Sequence, residues 1–138
     1  MASGARLINP IAVSTLIAGE ELAAHRVVIW HATEAKTVSY PAGAADLQIA
    51  GVTMAAADSG ACVDVCRLGD CLLTVNGTTD IAAGDLIEIE GTDGMGVKRA
   101  TTDGTTYREL IGKANEAGTE DGHEISVFVS MAAWGWTS

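Results

Sequence analysis

The stretch Ile81–Gly96, IAAGDLIEIEGTDGMG, decides the fold class. From Asp85 to Glu90 it alternates, with Leu86, Glu88 and Glu90 on one face of a strand and Ile87 and Ile89 on the other. A tight Gly84-Asp85 turn precedes the strand and a glycine-rich turn follows it. Nothing in it resembles a reacting group, so it reads as scaffold.

The same grammar runs through the chain. His25–Trp30, Thr37–Tyr40, Leu47–Met54, Ala61–Arg67, Cys71–Val75, Val97–Thr101, Leu110–Ala114 and Ile125–Ser130 are all short strand candidates. A turn at Gly69-Asp70 and a strong turn signal at Asn76-Gly77 separate some of them. Gly51, inside a strand, predicts a bulge or a close backbone approach. Only 18–24 and 114–117 offer helical turns. Short strands at close spacing with glycine punctuation predict an all-β fold, a compact barrel or sandwich.

Three segments recur in order. Ala23-Ala24-His25-Arg26-Val27-Val28 precedes Ala82-Ala83-Gly84-Asp85-Leu86-Ile87 by about 59 residues. Ile49-Ala50-Gly51-Val52 precedes Leu110-Ile111-Gly112-Lys113 by about 61, and Gly60–Val65 precedes Gly122–Val127 by about 62. The near-constant offset predicts a pseudo-duplicated β motif around one core. The organisation is then an extended N-terminal arm (1–16), one β domain (17–131) and a Trp-containing C-terminal tail (132–138).

At 138 residues the chain suits one domain with a real core. It carries 18 acidic and 8 basic residues, a net charge of −10. Nucleic-acid affinity comes largely from Lys and Arg on phosphates, and an acidic surface repels anionic membranes; neither is an expected partner. No run approaches the roughly 18 apolar residues of a spanning helix, and MASGARLINPIAVS lacks the basic start and continuous apolar stretch of a signal peptide. Asn76-Gly77-Thr78 spells a glycosylation acceptor with no secretion signal to give it meaning.

Chemistry is sparse. Cys62, Cys66 and Cys71 form C-x3-C-x4-C without a nearby His, which matches no familiar zinc pattern. On one strand Cys62 and Cys66 would lie about 13 Å apart, beyond the roughly 7 Å limit for a disulfide. Reduced, buried or semi-buried thiols are the expectation. Gly112-Lys113 lacks the partner glycine and hydroxyl of a phosphate loop, with Tyr107 and Ala114 in their places. The acids Asp80, Asp85, Glu88 and Glu90 do not follow a calcium loop; alternating acids suit a solvent-facing edge. His25 and His31 fall beside apolar residues and His123 in an acidic turn, with no nucleophile elbow anywhere. No catalytic residue, metal or cofactor is expected.

Two terminal features point to contact instead. Trp134 and Trp136 lie in the last five residues, and exposed tryptophan is enriched at interfaces. The arm carries Leu7, Ile8, Pro10 and Ile11, apolar and extended.

The order AGEELAAHRVVIW, IAGV, SGACVDVCRLGDCLLTV, IAAGDLIEI and LIGKANEAGTEDGHEISVFVS resembles the phage capsid cement or decoration proteins, a group long carried as an uncharacterised phage and prophage family. More distantly it is similar to the head decoration protein of phage lambda. The likeness spans roughly residues 10 to 130 and implies a β-tulip or β-clip fold. His25-Arg26 departs from the family's A-G-[DR] turn, so a different turn is expected there, and the Trp-rich tail lies beyond the pattern.

The resemblance implies a virion protein on the outer surface of the expanded capsid, made in the bacterial cytoplasm. It would act commonly as a homotrimer that clamps neighbouring major capsid protein subunits. For that role Leu7, Ile8, Pro10, Ile11, Trp134 and Trp136 are the expected contacts with capsid or a neighbouring copy. The competing readings are a carbohydrate-binding β module with Trp134 and Trp136 as its platform, a tail or baseplate component, and a small hydrolase built on Cys62, Cys66, Cys71 and His31.

Overall fold

The computed structural model describes residues 8–43, 48–100, 106–130 and 134–137, with backbone alone for 106–108 and 134–137. The fold is all-β: β1 (Asn9–Ala18), β2 (Val27–Trp30), β3 (Thr37–Ser39), β4 (Ile49–Thr53), β5 (Cys62–Asn76), β6 (Leu86–Ile89), β7 (Gly96–Lys98), β8 (Thr106–Ala114), β9 (Asp121–Ser130) and β10 (Trp134–Thr137). The segments 18–24 and 114–117 hold no helix.

The strand pairings close into two rings that share β5. In the N-terminal ring β1 runs parallel to β3 and antiparallel to β5, while β2 pairs β3 and β4, and β4 returns to β5. In the C-terminal ring β5 runs parallel to β7 and antiparallel to β9, while β6 pairs β7 and β8, and β8 returns to β9. Each pairing in one ring has its counterpart in the other. The Leu22–Ala57 bridge is matched by Ile81–Gly118. Closing a sheet on itself removes most of its edges, which is how so many short strands become stable together.

The duplicated sequence segments therefore do the same structural work. Leu16, Leu22, Val28, Ala50, Val63 and Val65 fill the N-terminal ring. Leu73, Ile81, Ile87, Ile111, Ile125 and Val127 occupy the matching places in the C-terminal ring. The C-terminal set is the bulkier. Gly51 and Gly112 are the close approaches anticipated at Gly51: a Cβ on either would overlap the carbonyl of Cys66 or Phe128 on the adjacent strand.

Several local expectations are corrected. Gly69-Asp70 is not a turn. β5 continues through it, because Gly69, at φ 115° and without a side chain, lets β1 cross against its backbone, where a Cβ would sit 2.6 Å from the Asn9 carbonyl oxygen. Asn76-Gly77 closes no hairpin. Gly77 donates its N–H to the Glu120 carbonyl at 3.0 Å, and Asn76 Oδ1 accepts from Thr78 N–H at 3.0 Å. β6 is an interior strand between β7 and β8, so Glu88 is 4% exposed rather than solvent-facing. His25 makes the same turn as Gly84: both are left-handed, at φ 62° and 92°, and their N–H groups bond Thr53 and Ala114 carbonyls at matching places.

Further bonds tie the rings together. Val27 donates to the Gly94 carbonyl at 2.7 Å, and Thr74 to the His25 carbonyl at 2.8 Å. An Arg26 guanidinium N–H reaches the Asp93 carbonyl at 2.8 Å. His25 Nε2 lies 3.8 Å from Glu124 Oε2.

Candidate interaction surface

β1 reads NPIAVSTLIA and holds no ionisable residue. It lies antiparallel on β5 from Asn9 to Ile17, so residues 9–16 of the segment read as an arm are mostly part of the sheet. Alternation sends Leu16 and Ala18 into the ring and leaves Ile11, Val13 and Ile17 outside at 64, 45 and 40% exposure. Ile8 is 51% exposed, and Pro10 is half-buried. Beside this stripe on β5 stand Cys62 and Asp64, both exposed, with the Thr15 hydroxyl donating to Asp64 Oδ1 at 2.7 Å.

On its side away from β5, β1 pairs only through Ile17 and Ala18 to β3; among the described residues no strand lies along that edge from Asn9 to Leu16. An edge with apolar side chains and unpaired main-chain groups is adhesive. The structure places Pro10 and Ile11 in β1 with Ile8 just before it, and it leaves Val13 and Ile17 of the same strand exposed as well. Sequence reading passed over those two because it ended the arm's apolar cluster at Ile11; the alternation continuing through Val13, Thr15 and Ile17 was the available signal. Leu7 lies outside the described residues.

A second apolar area lies on the C-terminal ring. Leu86, Gly112, Lys113, Phe128 and Ser130 line an open hollow of about 330 Å³, with Phe128 37% exposed. At Gly112 the Phe128 carbonyl fills the space a Cβ would take. Trp134 and Trp136 are placed in β10, paired with Glu109 and Tyr107 of β8. β1 and β10 share no pairing, so the two sets of expected contacts belong to different parts of the sheet.

The polar groups do structural work. Cys66 and Cys71 are buried free thiols hydrogen-bonded to each other; Cys62 is free and exposed. The bond from Cys71 holds the Cys66 thiol below its ordinary pKa. The same bond, with burial, pushes Cys71 upward and keeps it protonated. His31 Nδ1 accepts N–H groups of Thr33 and Glu34 at 3.3 and 3.1 Å and so braces a turn. Asp85 Oδ2 accepts the Ala82 N–H at 2.8 Å, which holds its carboxyl below the usual range, aided by Lys98 at 3.4 Å. Among the described residues no group of three or more His, Cys, Asp or Glu side chains could hold a metal ion. Nor, among them, is any helix long and apolar enough to cross a membrane.

No protein-family model matches the chain, and no curated protein matches its sequence. Among solved structures the chain is similar to the N base of head fiber gp8.5 in bacteriophage phi29. The likeness covers 88% of this chain and 96% of that one, at a TM-score of 0.61 and 23% identity. At that identity what the two chains share is the fold.

Proposed function

We propose that this chain is a phage virion structural protein that binds the outer surface of the expanded capsid and stabilises it by bridging neighbouring major capsid protein subunits. It acts as a homotrimer without cofactor or catalysis. The observation that carries this reading is the fold shared, almost end to end, with the base of a phage head fiber. That neighbour is a head component, which favours the capsid over a tail or baseplate location.

The uncharged outer face of β1 supports the same reading. A chain of net charge −10 meets other protein with least electrostatic cost through a strand that carries no charge. Binding only the assembled shell stabilises that shell by mass action, and many copies on one lattice add their effects.

Co-sedimentation with expanded, undecorated shells and with unexpanded precursors tests the proposal. Saturable binding to expanded shells, near one copy per capsid subunit, is the expected result. Failure to bind a correctly matched shell overturns it.

A further inference from the structure

The repeat between the two rings shows which side chains ring closure itself requires. Trp30 pairs with Val38 across β2 and β3 as Ile89 pairs with Gly96 across β6 and β7. Arg67 follows Cys66, which faces Val52, as Val129 follows Phe128, which faces Lys113. Ile89 and Val129 are therefore the counterparts of Trp30 and Arg67. In the C-terminal ring this pair is apolar, 1% and 0% exposed. In the N-terminal ring it is a half-buried tryptophan and a half-buried arginine, with the Arg67 guanidinium carbon 5.2 Å from the centre of the Trp30 ring. One ring closes with isoleucine and valine here, so closure does not call for a cation.

Arg67 is also left without an anion. Its Nε is buried and has no hydrogen-bond partner, and among the described residues no carboxylate forms an ion pair with it. The chain holds 18 acidic residues against 8 basic ones, so the gap does not come from a shortage of acids. Burying part of a guanidinium without a counter-charge costs stability. Stacking on an indole offsets some of that cost and holds the plane of the group. A guanidinium so held offers its N–H groups edgewise, the geometry that takes a carboxylate through two parallel hydrogen bonds. Cys66 and Leu68, on either side of Arg67, pair with Val13 and Ala12 of β1, so the site adjoins the exposed, uncharged stretch of that strand.

We propose that Arg67, held on Trp30, binds an aspartate or glutamate side chain of the shell protein beside the β1 contact. A single carboxylate is the fitting ligand. A polyanion would meet the field of a chain of net charge −10, whereas one acidic side chain meets this cation next to a strand that carries no charge. The proposal rests on the capsid reading above and names the chemistry of its partner.

The test is co-sedimentation of the full chain with expanded, undecorated shells, for the unaltered protein, Arg67→Lys and Arg67→Gln. Arg67→Gln should raise the dissociation constant by about tenfold or more, as removing one partner of a hydrogen-bonded charge pair does. Arg67→Lys, which keeps the charge but not the planar fork, should weaken binding less. Where Arg67→Gln unfolds, judged by circular dichroism, Arg67→Val replaces it, because the C-terminal ring folds with valine at that place. A zero-length carbodiimide cross-linker then joins the new amine of Arg67→Lys to a carboxylate it touches. The expected product, identified by mass spectrometry, links position 67 to an Asp or Glu of the shell protein. If the unaltered protein binds shells, an unchanged dissociation constant for Arg67→Gln, or a link from position 67 to another copy of this chain, overturns the proposal and leaves the capsid reading intact. If the unaltered protein does not bind a matched shell, both fall.

Discussion

Gly51 and Gly112 hold the same place in the two rings, each pressed by its missing side chain against a carbonyl on the neighbouring strand, that of Cys66 or of Phe128. Both β-strands can pack at this depth only because no Cβ intervenes. Gly51→Ala and Gly112→Ala should each destabilise the fold by about 2–4 kcal/mol, since backbone, not a movable side chain, must give way. Urea unfolding of each variant measures this; a loss under about 0.5 kcal/mol would show that the sheet relaxes freely.

Lys36 and Gly94 form another matched pair, left-handed at φ 57° and 77°. An L side chain in that conformation costs roughly 1–2 kcal/mol, and Lys36 is exposed. Lys36→Gly should stabilise by about 0.5–1 kcal/mol, the gain reduced by the added freedom of the unfolded chain. A thermal midpoint that falls would contradict the assignment. His25→Gly relieves the same kind of strain but also removes the group facing Glu124 across the rings, so it should gain less than Lys36→Gly.

Asp85 fastens the turn that opens β6 by accepting the Ala82 N–H. Its folded carboxyl is held below the unfolded value of about 3.9, so its contribution is present in full above that pH and disappears as pH falls through the lower folded value. The stability gap between the protein and Asp85→Asn should be constant near neutrality and narrow below about pH 4. A gap that widens in acid would reverse the sign of the shift.

The thiols should separate by accessibility. Cys62 is exposed, whereas Cys66 and Cys71 are buried and bonded to each other. In native protein one thiol should react quickly with an aromatic disulfide reagent and the other two only on unfolding; Cys62→Ser should abolish the fast phase. Rapid reaction of all three would place the Cys66–Cys71 pair at the surface.

Much of this fold was legible in the residues. Alternation located most of the strands, though β1 was read as an arm, β10 as a tail and β5 as two strands, and three short echoes at a nearly fixed offset revealed the duplication. Gly51 announced its close approach. What failed were readings that treated a residue by its usual local habit. Gly69-Asp70 looks like a turn until β1 is laid across it, and Glu88 looks like an edge acid until β7 and β8 flank its strand. His25 looks foreign to a glycine turn until its φ is known. Each was decided by a neighbour distant in sequence, which propensity does not contain. At the candidate surface, Ile8, Pro10 and Ile11 were singled out as an apolar, extended segment, and the structure shows Ile8 and Ile11 exposed. Phe128 was not singled out, because whether a strand's outer face is covered depends on elements distant in sequence.

β5 serves as a wall of both rings, from Cys62 to Asn76. Repeats of the usual kind can be cut apart, shortened or extended one unit at a time. Here a cut or graft at Leu68–Asp70, where β1 and β9 both pair with that strand, opens both rings at once, so the molecule does not divide there into working modules. Foreign peptides for display belong instead in the exposed bend at residues 32–36, which no second ring depends upon.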